Sequence, residues 1–303
     1  MNLASLAFHL VVGLLLGPLL LGVIVRVKAV VAGRVGAPLV QVYRDIWRLL
    51  QKGSVFSTTT TWVFQAGPVV GIATSLSALL LVPFAGEAAP LSFAGDVVLF
   101  AYLLGLGRFF TILAALDTGS AFEGMGAARE ATFSALAEPG LLLGLVVLAR
   151  RSGSTSLSTM LGDGVLSAWN ANGGALVLVV LSLFIVLLVE NSRIPFDDPN
   201  THLELTMIHE VMVLDHGGPL LGLIEYASSL KLLLLGSLVA RLICPLATGN
   251  PWGDRAVFLG ALVVVVIVVG VVESSMARLR LLHVPRLLVA SSILSVFGIV
   301  LAG

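Results

Sequence analysis

Apolar residues in this chain come in long unbroken blocks, with polar residues confined to the gaps between them. Eight blocks, near 3–25, 64–84, 95–116, 132–149, 172–190, 226–247, 255–273 and 286–302, are long enough to cross a bilayer, which takes about 20 residues each. Backbone groups in lipid must be satisfied within their own segment, so each block is expected to be a helix. The first block carries no basic region before it and reads as a permanent helix, not a cleaved signal peptide. One stretch has a different rhythm. After Pro38, Leu39, Val42, Tyr43, Ile46, Leu49 and Leu50 recur at helical spacing, while Gln41, Arg44, Asp45, Arg48, Gln51 and Lys52 take the other face. Such a pattern suits an amphipathic helix in the membrane interface, with Gly33, Gly36 and Pro38 marking its start. The expected fold is an all-α integral membrane protein, one membrane domain over 1–303, with no soluble domain and no internal repeat.

Composition reinforces this and removes several functions. The chain is 58% hydrophobic and 11% charged, against roughly 25% charged in a soluble domain. Net charge is zero, which gives no basis for nucleic-acid binding. Cys244 is the only cysteine, so the chain alone cannot build an iron–sulfur or zinc-thiolate site. Basic residues are one-sided. Arg26, Lys28, Arg34, Arg44, Arg48 and Lys52 fall in the first loop, Arg129 in the third, Arg193 in the fifth, and Arg278 and Arg280 in the seventh. The opposite side has only Arg150, Arg151 and Arg255, with Arg241 in or near a span. The positive-inside rule therefore places the loops near 26–63, 117–131, 191–225 and 274–285 in the cytoplasm, and both termini outside.

The carboxylates mark the candidate site. The run from Glu190 to His202 ends an apolar span, and six acidic residues fall between Asp197 and Glu225. Glu138 stands seven residues into another apolar block, where a carboxylate is costly and is a functional candidate by default. Glu138, Glu190, Glu225 and Glu273 all lie on the cytoplasmic half of their predicted helices. Packed together they would form a polar file, with burial and mutual repulsion raising some pKa values as a proton relay requires. Plainer readings stand beside this: an Arg partner for Glu138, an ion pair of Glu273 with Arg278 or Arg280, and a solvated helix opened by Asp198 and Pro199. A metal site from His202, His209 and His216 is a minor alternative. His209-Glu210 is not a zinc-protease motif, because the second His would fall at Val213. Gly124-Met125-Gly126 lacks the strand and the Gly-Lys-Ser/Thr that a phosphate loop needs.

Several motifs carry a family resemblance. Gly33-Arg34-Val35-Gly36-Ala37-Pro38, the spacing from Arg129 to Glu138, and Glu190-Asn191-Ser192-Arg193-Ile194-Pro195-Phe196-Asp197 occur in order. Together they resemble the family of the large quinone-site membrane subunit of respiratory complex I and its counterpart in membrane-bound NiFe hydrogenases. Gln41 to Leu50, Leu116 to Ser120, Thr201 to Glu210 and Glu273 to Arg280 are more similar to the formate hydrogenlyase and hydrogenase-4 branch. Asn200 and His202 replace two Glu of the complex I pattern, while Glu204 retains one. The resemblance implies a subunit that couples cytoplasmic redox chemistry to proton or sodium movement and binds no cofactor itself. The NiFe centre and iron–sulfur clusters would lie in partner subunits: the hydrogenase large and small subunits and iron–sulfur subunits, beside antiporter-like membrane subunits. The implied relay is Glu138, Glu190, Asp197, Glu204, Glu210, Asp215 and Glu225, with Arg34, Arg44, Asp45, Arg129 and Arg193 at the docking face. A quinone-site subunit of a NADH dehydrogenase-like complex in the inner membrane is the alternative. A stand-alone secondary transporter fits less well, for want of a repeat.

Overall fold

A computed structural model describes residues 3–162, 164–197, 207–245 and 249–302. In chain order its helices are α1 (Leu3–Val31), α2 (Gln41–Leu50), α3 (Trp62–Leu79), α4 (Asp96–Asp117), α5 (Ala121–Ser152), α6 (Leu157–Met160), α7 (Gly164–Glu190), α8 (His209–Met212), α9 (Gly218–Ile243), α10 (Pro251–Ser275) and α11 (Val284–Ala302). Eight of them are long and apolar enough to cross a membrane, so the chain is a multi-pass membrane protein. Helix α3 packs along α4 and α9, α11 lies against α5 and α7, and α1 lies against α9 and α10.

Where these helices start and stop follows from specific polar contacts. The carboxylate of Asp117, last residue of α4, accepts from the backbone N–H groups of Thr61 (2.6 Å) and Phe64 (3.2 Å). It thereby satisfies donors left free at the start of α3. Asn250 caps α10 by accepting from Trp252 N–H at 3.1 Å. On the opposite face buried Asp96 opens α4 and accepts from Leu157 N–H (2.6 Å) and the Ser156 hydroxyl (2.9 Å), pinning α6 beneath it. Between α5, α7 and α11 the contact is made of small residues. Ser295 donates to Gly140 O (3.1 Å), and Ser182 donates to Ser291 O (2.8 Å). Close approach and hydrogen bonding are what hold helices together where lipid is as apolar as the side chains.

Two expectations change. The stretch near 117–131, expected as a loop, is helical from Ala121 onward. One of its glycines serves packing: a Cβ on Gly126 would overlap the Val211 side chain, so Gly126 lets α8 lie directly on α5. Helix α5 thus begins earlier than the apolar block, and Glu138 lies near its middle, not close to its start. The amphipathic helix forms where expected, yet its apolar face packs on α9 and α1 of the same chain. The Tyr43 hydroxyl donates to Leu15 O, and a Cβ on Gly22 would overlap the Leu39 carbonyl.

Candidate functional site: a buried ion-pair file

Helix α7 stops at Glu190 well inside the bundle. Its neighbours run further toward the face formed by the α1–α3, α4–α5, α7–α9 and α10–α11 connections. Lys231 lies thirteen residues into α9, about 20 Å along it, and Arg108 nine residues before the end of α4, about 14 Å. Both reach the Glu190 carboxylate: Lys231 Nζ is 2.9 Å from Oε2 and Arg108 Nη2 is 3.3 Å from Oε1. Through Nη1 Arg108 also meets Glu138 at 3.4 Å. The result is an alternating file, Glu138–Arg108–Glu190–Lys231, crossing from α5 through α4 and α7 to α9. The Glu190 and Arg108 side chains are only 3% and 7% exposed, whereas Glu138 is 49% exposed at the outer edge of the bundle.

A cavity of about 80 Å³ adjoins the file, with Arg108, Glu130, Glu190, His209 and Lys231 in its wall. A second, of about 70 Å³, holds Asp197, Glu210 and Glu225. The two share Asn191, Ser192, His209, Ile224 and Ser228, so they are neighbours separated by one layer of side chains. Arg108 Nε and Asn191 Oδ1 are buried without a hydrogen-bond partner among the described residues. Set in a mostly apolar wall, these polar groups and room for on the order of five water molecules in the first cavity suit a short hydrated path. In the second cavity Glu210 is pushed up to about 7, chiefly by burial and then by repulsion from Glu225 and Asp197, with Arg193 opposing. His209 is lowered, first by burial and then by the Lys231 charge.

The segment after Glu190 folds back into the bundle and is clamped there. Buried Asp197 pairs with Arg278 at 3.0 Å and accepts from the N–H groups of Ile208 and His209, each at 3.0 Å. Leu279 N–H donates to Pro195 O at 2.9 Å. Glu273 pairs with Lys28 (2.9 Å) and Arg193 (3.4 Å), not with Arg278 or Arg280 as expected from sequence proximity. Helix α10 ends at Ser275, so the residues that follow turn away from the helix face that carries Glu273.

The expected site residues therefore divide. Glu138 and Glu190 belong to the file, and Asp197, Glu210 and Glu225 to the adjoining cavity. Asp215 does not join them: it is exposed, and its backbone N–H donates to Glu123 at 3.1 Å. Glu204, with Asp198, Pro199, Asn200 and His202, lies outside the described residues. Glu273 forms a separate cluster. Arg34, Arg44 and Asp45 are exposed on the connection face, Asp45 accepting from Gln41 at 2.9 Å. Arg129 donates to Met207 O (2.8 Å) and Arg193 is largely buried against Glu273, so both brace their own chain. Glu138 and Glu190 are not in mutual contact, because the cation of Arg108 stands between them and that of Lys231 flanks Glu190 on its other side. Those cations, Arg108 and Lys231, and Glu130 beside them, were not singled out from sequence. A charge in mid-span was the available signal for Arg108 and Lys231, equal in weight to the one that marked Glu138.

Comparison with known proteins gives the family and the fold. A family profile described as NADH dehydrogenase matches residues 3–303. Formate hydrogenlyase subunit 4 of Escherichia coli K12 is 33% identical over 282 residues, 89% of each chain. Hydrogenase-4 component C of the same organism is 33% identical over 279 residues, covering 90% of this chain and 87% of that one. A NADH-quinone oxidoreductase subunit from Bordetella avium is 27% identical over 66% of this chain and 59% of its own. Among solved structures, a chain of the membrane-bound sulfane sulfur reductase, an archaeal respiratory membrane complex, shares the fold. Its TM-score is 0.84, at 21% identity over 99% of both chains. The chain belongs to the NADH dehydrogenase family, and its relatives include subunits of formate hydrogenlyase and hydrogenase-4.

Proposed function

We propose that the chain is the membrane-anchoring and ion-coupling subunit of a complex-I-like energy-converting hydrogenase. The observation that carries this reading is the buried file from Glu138 to Lys231, with the Glu210 cavity on its connection side. Electron transfer belongs to the NiFe centre and iron–sulfur clusters of partner subunits, seated on the connection face where Arg34, Arg44 and Asp45 are exposed. That face is cytoplasmic in this reading, and both termini lie across the inner membrane. A charge change at the redox module alters the protonation of Glu210 and its neighbours, and the file passes charge sideways. Glu138 marks the exit. A carboxylate half exposed near the middle of a spanning helix is expensive against lipid, so a neighbouring membrane subunit of the antiporter-like kind covers it.

A quinone-site role needs a chamber between α2 and the second to sixth spans. The two cavities beside the file, about 80 and 70 Å³, fall well below the roughly 300 Å³ of the smallest pockets that enclose drug-sized ligands, and a larger one of about 370 Å³ lies at Leu148, Arg151 and Met160, away from α2. The hydrated-relay reading is therefore preferred. Its test uses the assembled complex in sealed vesicles. Glu138→Gln and Glu190→Gln should each keep dye-linked redox turnover in the partner subunits while ion translocation falls at least tenfold. Undiminished translocation in both variants would sink the assignment.

A further inference from the structure

The file contains two cations with different chemistry, and the difference assigns them different work. A guanidinium does not lose its proton in a protein, whereas a buried lysine ammonium can. Arg108 is wedged between two carboxylates at 3.4 and 3.3 Å, its side chain 7% exposed. Lys231 makes the tighter contact, 2.9 Å to Glu190 Oε2, and its side chain, 21% exposed, stands in the wall of the 80 Å³ cavity. If both cations were permanent, Glu190 would be held as a carboxylate between two fixed positive charges and could not take up a proton.

We infer that Lys231 is itself a proton carrier of the relay, exchanging its proton directly with Glu190, while Arg108 is a fixed counter-charge. The inference rests on the relay reading given above. In the exchange one N–H bond of Lys231 Nζ breaks and an O–H bond forms on Glu190 Oε2. An ion pair becomes an amine and a carboxylic acid, with charge conserved and no electrons moved. Arg108 then directs its charge to Glu138 alone. The amine is recharged from the cavity, where Glu130 on α5 and His209 on α8 face it together with Glu190 on α7 and Arg108 on α4. The free acid gives its proton to water in the cavity beside Arg108, and that water carries it toward the Glu138 edge while the guanidinium stays charged. An ordinary structural counter-ion would need only its charge, and this gives the two roles different consequences.

The experiment compares Lys231→Arg with Glu190→Gln in the assembled complex in sealed vesicles. Arg keeps the charge and cannot release the proton. Lys231→Arg should assemble and retain dye-linked redox turnover, yet lose translocation at least tenfold. It should also lose the turnover-induced infrared band of a protonated carboxyl that Glu190→Gln assigns. Translocation within twofold of wild type in Lys231→Arg, with Glu190→Gln inactive, overturns the inference and leaves the relay standing. Translocation in Glu190→Gln as well overturns the relay reading itself. Should the bulkier Arg prevent assembly, Lys231→His carries the test. Its imidazole ionises near pH 6.5, so translocation should shift to lower pH, and an unchanged pH profile overturns the inference.

Discussion

Arg108 is the joint of the file, and replacing it by Gln has a cost that can be worked from the geometry. At 3.3 Å and an effective dielectric of about 20, its attraction to Glu190 is about 5 kcal/mol. The contact with Glu138, at 3.4 Å and half outside the bundle, adds to this. Desolvating Arg108 offsets part of this, and breaking a buried pair from one side typically costs about 3–5 kcal/mol. Arg108→Gln should therefore destabilise the chain by about that amount, since it takes from Glu138 the cation it pairs with and leaves Glu190 with Lys231 alone. Adding Glu138→Gln restores neutrality and leaves a simple Glu190–Lys231 pair, so the double variant should regain about 1–3 kcal/mol of coupling energy. The assay is SDS titration in mixed micelles, followed by circular dichroism. A loss of no more than about 0.5 kcal/mol, the range of an ordinary surface change, would refute the pairing. So would a double variant less stable than Arg108→Gln alone.

Two further outcomes follow from the same structure. Glu210, raised to about 7 in the folded chain, favours folding through its neutral form. That contribution is complete below the unfolded carboxyl value near 4.5 and is lost as pH rises through about 7. Glu210→Gln should thus be more stable than wild type at pH 8, by up to about 3 kcal/mol, and equal to it at pH 4; a pH-independent difference in the same titration would contradict the burial of Glu210. In a Cys244→Ser background, Val35→Cys should react with an impermeant maleimide from the cytoplasmic side and Thr155→Cys only from the other. The reverse labelling pattern would invert the orientation.

Much of this arrangement could be read in the sequence, for physical reasons that also explain the misses. Lipid forces an apolar block to be a helix, so the eight spans and α2 were legible from pattern alone. Glu138 and Glu190 stood out because isolated carboxylates in apolar surroundings are costly. Arg108 and Lys231 carry the same signal with the opposite sign, but long basic side chains also snorkel to the interface, and that hides a buried one. The stretch 117–131 looked like a loop because Gly and charge mark loops in water. In a membrane bundle Gly126 instead marks where α8 touches α5. The partner of Glu273 was misjudged because ion pairing followed the fold, through Lys28 on α1 and Arg193 after α7, and not the nearest basic residue in the chain. Asp215 shared the acidic run yet faces outward, since sequence density does not say which side of a turn a residue takes.

The central claim is that the file through Glu190 carries the ion that redox turnover drives. The most direct measurement is the number of ions moved per electron by the assembled complex in sealed proteoliposomes, wild type against Glu190→Gln, with electron flux recorded in the same sample. The account predicts that electron flux continues in the variant while the ratio falls close to zero. A ratio equal to that of wild type would contradict it.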